Sequence, residues 1–532
     1  MKDFLKQNKE TLMCFMPLVL LMVYFFWKSL SFPLHDFSNS YFPAHIANYG
    51  TEPEQTLFDI YAYNKYIWAQ GYEDVLADFY LNSPFNSTFF YPFALISNAY
   101  VSKVLFNGLS ILLFLLAIYI LLRRFGKPTK WLLVLAPLLC FVSLRNQILF
   151  GQTYFLIFAL VVLSFYVFEK QKHSLGASFL AFAALLKIFP VLYGLPLMFK
   201  KNWKGIGIAI SIGILLLVMS LFITGTSIWE TYIFEVMPNA IKNKSTVNFQ
   251  YNAQSMDVFL KTLFVKDMYY NPEAYFNNEQ LYFALKWLYK SIVLGIAVSL
   301  SFTKKTSYFA LLSIWVVTLF LIQSRTATYA QILWLIPVFY VMSISVSGLK
   351  KIAILGLLFL ICNLPVSNLE LMPLLLKFSR LWFSIVLAIL VYSSLSRSVN
   401  YKYIGLVALL LLPLHFDMFS QPKSDHSTYV LDQQEYFMIF DFNVENNVLG
   451  YNALGKNGNE VVLTEIPIHN FNENACQIVN NQIIMNGKQL TNSPDLKKKP
   501  VLVNGCEVFY LSDANSRRGA FTIKKINSCN TF

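Results

Sequence analysis

Long apolar runs, separated by short polar segments, follow one another along residues 1–419. A membrane-spanning helix needs about 20 predominantly apolar residues. Runs of this length start near the following residues: Thr11, Ser97, Lys130, Gln152, Ser174, Lys204, Leu285, Ser307, Thr326, Lys350, Phe378 and Tyr401. The pattern predicts a polytopic α-helical membrane protein with about 11–13 membrane segments.

The pattern changes after about Phe419, where short alternating runs are separated by Asn, Gly and Asp. Alternation with a period of two is typical of strands that bury one face. Two such runs flank Asn486-Gly487, a dipeptide that favours a two-residue hairpin turn. We therefore predict two units, a membrane domain over residues 1–419 and a small β-domain over residues 420–532.

The amino-acid composition supports a membrane location for the helical part. Hydrophobic residues make up 56% of the chain and charged residues only 13%, with a mean hydropathy of +0.50. Soluble domains, in contrast, carry about 25% charged residues. The first apolar run is too long for a cleavable signal peptide and lacks a small-residue cleavage site, so we expect it to remain as a membrane anchor.

Basic residues are concentrated in short segments between apolar runs, as the positive-inside rule describes. The seven clusters are Lys2/Lys6/Lys9 and residues 123–130, 169–172, 200–204, 303–305, 349–351 and 396–402. If all seven face the cytoplasm, the N-terminus is cytoplasmic, and two loops, about 31–97 and 225–280, lie outside with the β-domain. The net charge of +13 then reflects membrane topology and not a nucleic-acid partner. We expect a multi-pass protein of a bacterial-type cytoplasmic (inner) membrane with a periplasmic β-domain.

The apolar run from Ser174 to Phe199 begins and ends at clusters that are predicted to be cytoplasmic, so it must cross the membrane twice or re-enter it. Lys187, Pro190, Gly194 and Pro196 divide it into two short halves. Interrupted helices at membrane depth occur where they line a cavity or are buried in protein. Short broken segments of this kind point to binding sites.

The six cysteines divide into two groups. Cys14, Cys140 and Cys362 lie in apolar runs and are interpreted as small buried hydrophobic residues. Cys476, Cys506 and Cys529 lie in the polar tail. If the tail is outside the cytoplasm, one disulfide among these three is expected.

The sequence contains no P-loop, no G-x-G-x-x-G, no G-x-S-x-G and no His pair at metal-ligand spacing, so no metal site is expected. Polar and ionisable residues beside apolar runs are costly in lipid and are therefore functional candidates. Those at the predicted outer face are Asp36, Arg145, Gln152, Lys187 and Arg325. One carboxylate facing several cations suits catalysis on an anionic lipid-linked substrate, with the carboxylate as base and the cations binding a phosphate.

The segment from Gly151 to Trp203 resembles the signature region of the glycosyltransferase 87 family. It has Gly151-Gln152, a basic loop, a helix rich in small residues, and then Lys187 and Pro190. Residues 36–50, with Asp36 and Tyr41, are similar to the family pattern after the first helix, and residues 251–264, with Asn252 and Ser255, are similar to its segment in the second outer loop. The resemblance covers roughly residues 11–342 and leaves the β-domain outside.

Two positions depart from the family pattern. The family Asn that follows Gly-Gln is Tyr154 in this chain. The expected Ser-Trp-x-His stretch is replaced by residues 324–331, which contain no His. The sequence therefore leaves the sugar open.

The resemblance implies a GT-C fold and a membrane mannosyltransferase-like enzyme that uses a polyprenyl-phosphate sugar. Asp36 would be the catalytic base for inverting transfer to a lipid-linked or cell-envelope glycan, and the lipid-linked sugar phosphate would be a co-substrate, with no further cofactor. Among the cations, Lys187 and Arg325 are the preferred ligands of the donor phosphate, followed by Arg145. Substrate-binding roles are expected for Gln152, Tyr41, Asn252 and Ser255.

Two alternatives stay open at this point. An O-antigen ligase or polymerase also has many helices and large outer loops, but such enzymes rely on outer Arg and His, and this chain has only six His. A lipid or solute transporter usually has paired halves with related broken segments. A second copy of the Ser174–Phe199 pattern would favour the transporter.

Overall fold

In a computed structural model of the protein, the described residues are 2–50, 52–79, 81–126, 129–241, 251–267, 270–302, 306–395, 399–413, 425, 427–430, 436–455, 461–514 and 519–529. The predicted domain boundary at residues 419 and 420 falls outside them, as does the basic cluster at residues 303–305. The division into two domains at that point therefore stays a prediction.

The N-terminal part of the chain is helical. Its α-helices are α1 (Lys2–Ser29), α2 (Ser38–Tyr49), α3 (Pro53–Leu57), α4 (Ile60–Ala69), α5 (Pro84–Ala94), α6 (Ala99–Phe125), α7 (Lys130–Leu139), α8 (Phe141–Leu149), α9 (Tyr154–Glu169), α10 (His173–Leu186), α11 (Leu195–Phe199), α12 (Trp203–Thr224), α13 (Thr226–Thr231), α14 (Met237–Ile241), α15 (Met256–Phe264), α16 (Glu279–Ser301), α17 (Tyr308–Ile322), α18 (Leu335–Ser343), α19 (Gly348–Asn363), α20 (Leu374–Lys377), α21 (Ser379–Leu395) and α22 (Lys402–Leu411). Short 3-10 helices cover His35–Phe37, Phe189–Gly194, Tyr251–Ala253, Tyr329–Trp334 and Val366–Leu369, and a π-helix covers Tyr232–Val236.

Three of the described helices are long and apolar enough to cross a membrane, namely α6, α12 and α16. The pair α7 and α8, bent by 67°, counts as a fourth if it forms one span. The other apolar helices, from Met13–Ser29 in α1 to α22, have 10–17 residues. The apolar, mostly helical architecture is thus confirmed, whereas the number of spans and their orientation stay predictions.

Burial separates the core helices from the peripheral ones. The helices α9 and α17 are apolar on all sides and are buried over nearly their whole length, as expected for helices surrounded by other helices. In contrast, only 6% of the apolar window of α12 is buried within the protein. The exposed apolar side chains of α12 form a surface suited to lipid.

The C-terminal part is built of antiparallel strands. They are β1 (Ser427–Tyr429), β2 (Tyr436–Glu445), β3 (Val448–Gly455), β4 (Val461–Pro467), β5 (Phe471–Asn472), β6 (Cys476–Val479), β7 (Gln482–Met485), β8 (Lys488–Gln489), β9 (Lys497–Val503), β10 (Glu507–Ser512) and β11 (Thr522–Asn527). One sheet has the order β1-β11-β10-β9-β5, and two three-stranded sheets have the orders β2-β3-β4 and β6-β7-β8. The alternating runs of the tail therefore do form β-structure.

The hairpin predicted at Asn486-Gly487 is present, because Met485 pairs with Lys488 across the turn. Both turn residues have positive φ, 50° and 76°, as a type I′ turn requires. A second two-residue turn of this kind joins β6 to β7 at Asn480-Asn481, with φ of 50° and 64°. Asparagine tolerates this conformation better than most residues.

The predicted disulfide is also present. Cys506 and Cys529 are joined, and Cys476 is a buried free thiol. The bond ties the turn before β10 to the end of β11.

The β-structure packs on α4, in the region predicted as the first outer loop. The ring of Tyr61 stacks on Phe440 with 4.9 Å between centroids. Beside this stack, Lys498 Nζ lies 3.6 Å from Asp59 Oδ2, and the Asp59 carboxylate also accepts hydrogen bonds from the first amides of α4. The first loop region and the C-terminal strands thus form a continuous contact.

Candidate active site

Asp36 lies seven residues beyond the end of α1, in the short 3-10 helix His35–Phe37. Its side chain is 26% exposed and is therefore partly accessible to solvent. Gln152 Nε2 donates to Asp36 Oδ2 at 2.5 Å, and His35 Nδ1 lies 3.1 Å from Asp36 Oδ1. The structure therefore brings together two residues that are 116 positions apart in the sequence.

The position of His35 explains how this short turn is fixed. His35 has a φ of 49°, an uncommon conformation for a non-glycine residue. Its ring stacks on Phe150 with 3.8 Å between centroids and 9° between planes. The turn that carries Asp36 is thereby anchored to the segment that carries Gln152.

Two residues that sequence reasoning missed hold the same turn from either side. Lys103 Nζ, almost fully buried in α6, donates to the carbonyl oxygen of Pro33 at 2.6 Å. The Tyr63 hydroxyl of α4 donates to the carbonyl oxygen of Ser38 at 3.0 Å. A lone lysine within an apolar helix is costly in lipid. On this ground the sequence could have indicated Lys103 as a functional candidate.

Gly151 is the residue that permits Gln152 to approach Asp36. Its φ is +68°, in the left-handed region that favours glycine. A Cβ at this position would lie only 2.7 Å from Phe37 Cβ, next to the candidate base. Both the backbone conformation and the close contact therefore require glycine in the Gly-Gln dipeptide.

We expect Gly151→Ala to destabilise the protein by about 1–3 kcal/mol, because the added methyl group overpacks against Phe37 and strains the backbone. The measurement is thermal unfolding of the purified protein in detergent. Gly207→Ala is the matched control, since a Cβ there meets nothing within 4 Å. An equal melting temperature for Gly151→Ala and wild type would contradict the steric argument.

Gln152 is itself held by a neighbouring amide side chain. Gln147 Nε2 donates to the backbone carbonyl oxygen of Gln152, and the backbone N–H of Gln152 donates to the backbone carbonyl oxygen of Gln147 at 3.0 Å. Both side chains are buried. These two contacts fix the backbone of Gln152, from which its side chain reaches Asp36.

Lys187 lies at the break between α10 and the 3-10 helix Phe189–Gly194. The predicted interruption of the Ser174–Phe199 run is thus confirmed, and the backbone at Lys187 is extended. The Lys187 ammonium donates to Asn82 Oδ1 at 3.1 Å and lies 5.7 Å from the centroid of the Tyr154 ring. It also attracts Asp36 electrostatically. Tyr154, the departure from the family Asn, therefore forms one wall beside the lysine.

Arg325 lies in a second break, between α17 and the 3-10 helix Tyr329–Trp334. Arg325 interacts electrostatically with Tyr329, and Tyr329 also interacts with Asp36. The rings of Tyr329 and Tyr154 are 5.4 Å apart. The segment is tied to the second loop region, because Ser255 Oγ donates to the carbonyl oxygen of Ser324 at 2.5 Å. Ser255 is also the N-cap of α15, so the contacts of Ser255 are structural.

The three other candidate residues occupy different positions. Arg145 is exposed on α8, and its Nε donates to Asn146 Oδ1 at 3.1 Å. Tyr41 is buried, and its hydroxyl donates to the carbonyl oxygen of Ile96 at 2.7 Å. Burial and nearby tyrosines raise the pKa of Tyr41 to about 12. Asn252 is exposed in the 3-10 helix Tyr251–Ala253.

The arrangement combines a partly exposed carboxylate with cations and aromatic rings. Asp36 is attracted by Lys187 and by Lys103, of which Lys103 is committed to backbone carbonyls. Lys187 is half-buried beside the aromatic residues Tyr154 and Phe189, whose rings stack at 5.7 Å. A carboxylate can accept a proton from a hydroxyl group, and a lysine can stabilise a phosphate. Among the described residues, no group of three His, Cys, Asp or Glu is arranged to hold a metal ion.

Apolar helices around a carboxylate and a lysine are compatible with a membrane enzyme, and a comparison with known families gives a match over part of the chain. Residues 80–324 match the model of Glycosyltransferase family 87, which confirms the resemblance seen in the sequence. The family implies a membrane glycosyltransferase. The matched region contains Gln152 and Lys187, begins after Asp36 and ends at the residue before Arg325. No curated protein and no solved structure matches the chain.

Proposed function

We propose that this protein transfers a mannose-like hexose from a polyprenyl-phosphate donor to a lipid-linked or cell-envelope glycan at the outer face of the membrane. The observation that carries the proposal is the hydrogen bond between Gln152 and Asp36. Gln152 belongs to the region that matches the glycosyltransferase family, and Asp36 lies outside that region. The contact therefore connects the Asp36 carboxylate, near the N-terminus, to the Gly151-Gln152 dipeptide within the matched region.

In the proposed reaction, Asp36 is the general base. The acceptor hydroxyl oxygen attacks the anomeric carbon, its proton passes to a carboxylate oxygen of Asp36, and the bond from the anomeric carbon to the phosphate oxygen breaks. The electron pair of that bond stays on the polyprenyl phosphate, which leaves with inversion at the anomeric carbon. The phosphodiester linkage of the donor supplies the driving force, so the reaction needs no nucleotide.

Lys187 would stabilise the charge that develops on the leaving phosphate. Preorganised cations in a site that excludes water contribute more to such stabilisation than they do in water. Asn82 and the Tyr154 ring fix the Lys187 ammonium, so little rearrangement is required during the reaction. Arg325 would be the second phosphate ligand, and the exposed position of Arg145 makes it the weakest of the three candidates.

The test is transfer by the purified full-length protein from a panel of donors to cell-envelope glycolipids. The panel contains polyprenyl-phosphate mannose, polyprenyl-phosphate glucose and the corresponding nucleotide sugars. We expect transfer from a polyprenyl-phosphate hexose and none from the nucleotide sugars. Transfer that depends on a nucleotide sugar would contradict the proposed donor class.

One observation favours a second candidate, a lipid transporter. The break that carries Lys187 is followed by the 3-10 helix Phe189–Gly194 and α11, and the break that carries Arg325 is followed by the 3-10 helix Tyr329–Trp334 and α18. Two related broken segments are typical of transporters. The donor panel separates the two candidates, because a transporter would leave the sugar attached to its original lipid.

A further inference from the structure

A polar cavity lies at the end of α9 that is remote from Asp36. Gln152, which binds Asp36, lies just before the N-terminus of α9, whereas Glu169 at the C-terminus of α9 lines the cavity. Because α9 has 16 residues, its two ends are about 24 Å apart at 1.5 Å per residue. The cavity is therefore distinct from the candidate active site.

The cavity has a volume of about 610 Å³, within the range of small-molecule sites. Its charged lining consists of Arg123, Arg124, Lys170, Lys200 and Glu169. Four cations thus face one carboxylate, and the walls between them include the ring of Tyr308. Such an excess of positive charge in a concave site favours an anion.

The cations that line the cavity differ in whether they are paired with other groups of the protein. Arg124 pairs with Glu169, with 3.3 Å between Nη2 and Oε1, and Lys200 donates to the carbonyl oxygen of Thr306. Arg124 and Lys200 are thus already paired with groups of the protein. Arg123 and Lys170 are exposed at its rim, so their charges are accessible to a ligand.

The N-terminus of α17 also lies at the cavity. Ser307, the N-cap of α17, and Tyr308, its first residue, both line the cavity. The first amide groups of a helix have no partner within the helix, and the helix dipole favours negative charge there. The Ser307 hydroxyl accepts from the Ala310 amide, and the positive end of the helix dipole adds to the charge of the cationic side chains, a combination used for phosphate groups.

We propose that this cavity binds a phosphate group, and that the headgroup of an anionic membrane phospholipid supplies it. Basic pockets between membrane helices at the positively charged face bind such headgroups. The cluster at residues 123–130 and that at 169–172 both contribute to the cavity, and both are predicted to face the cytoplasm. The inference does not depend on the chemistry proposed for Asp36.

The test uses delipidated full-length protein in detergent, titrated with dioleoyl phosphatidylglycerol or dioleoyl phosphatidylcholine and analysed by native mass spectrometry. A second arm measures thermal unfolding with increasing inorganic phosphate. The variant is Arg123→Gln with Lys170→Gln, which removes the rim charges and leaves the Arg124–Glu169 pair intact. The control is Lys172→Gln, an exposed lysine of the same cluster that does not line the cavity.

We expect wild type and the control to retain phosphatidylglycerol about tenfold better than phosphatidylcholine, and the double variant to lose that preference. If only inorganic phosphate stabilises wild type and the control, and not the double variant, the site binds free phosphate and the lipid source is wrong. The proposal is overturned if the double variant, with an unchanged melting temperature, matches wild type in both arms.

Discussion

Asp36→Asn is expected to lower the rate of sugar transfer by about 10²–10⁴-fold, the usual contribution of a positioned general base. Asparagine has nearly the same shape as aspartate, so the turn and the stacking of His35 on Phe150 should persist. The amide group, however, cannot accept the proton of the acceptor hydroxyl. The measurement is the initial rate of transfer from the polyprenyl-phosphate hexose that wild type prefers, together with the melting temperature of each protein.

Asp74→Asn is a matched control for this experiment. Asp74 is an exposed carboxylate in the same predicted loop, and we expect its amide variant to transfer sugar at the wild-type rate. The proposed role of Asp36 fails if Asp36→Asn and Asp74→Asn have equal activity. A loss of activity counts in favour of the role only if the melting temperature shows that Asp36→Asn is folded.

Lys187→Met should give the second largest effect, a fall in kcat of about 10²–10³-fold. Methionine keeps most of the length of the side chain and its contact with the Tyr154 ring but removes the charge that is proposed to stabilise the leaving phosphate. The loss should appear mainly in kcat, because the charge on the phosphate increases as the bond to the sugar breaks. Steady-state kinetics with donor varied at fixed acceptor separates kcat from KM.

Two further variants test whether the effect of Lys187→Met comes from the loss of the positive charge at that position. Lys187→Arg should recover part of kcat, because it restores the positive charge in a different geometry. Lys28→Met removes an exposed lysine near the end of α1 and should leave both constants unchanged. A rise in KM alone in Lys187→Met would assign the lysine to donor binding and contradict stabilisation of the leaving group.

The sequence was sufficient to name Asp36, Gln152 and Lys187 as candidates, because polar residues are rare in apolar surroundings and the Gly-Gln dipeptide resembles a known family. It could not show that Gln152 binds Asp36, since that contact depends on the left-handed backbone at Gly151 and on its packing against Phe37. Local patterns contain no information on which distant turn fills that space. The sequence likewise could not explain why Tyr154 replaces the family Asn. The structure shows that the Tyr154 ring lies beside Lys187.

Hydrophobic periodicity did not predict the second broken segment, which lies between α17 and the 3-10 helix Tyr329–Trp334. The run that starts near Thr326 is predicted to form one span, yet residues 326–328 are not helical and the helix begins as a 3-10 turn at Tyr329. The contacts that hold the backbone in this form are distant in sequence, such as the hydrogen bond from the Thr326 amide to the carbonyl oxygen of Ala253 at 2.9 Å. Tertiary contacts therefore decide the local conformation there.

The C-terminal strands were easier to predict, because alternation and turn chemistry are local signals. Asn486-Gly487 was recognised as a hairpin turn, whereas Asn480-Asn481 was not, although both turns have two residues with positive φ. The packing of Tyr61 against Phe440 had no sequence signal. It joins residues from opposite ends of the chain and is specified by the shapes of the two surfaces.

The central claim is tested most directly by single-turnover transfer with the protein in excess over a radiolabelled polyprenyl-phosphate hexose. Binding of the donor and appearance of label in the acceptor are measured on the same samples of wild type and Asp36→Asn. We expect both proteins to bind the donor and only wild type to transfer the label within the time of one wild-type turnover. Transfer by Asp36→Asn at the wild-type rate would contradict the role of Asp36 as the base.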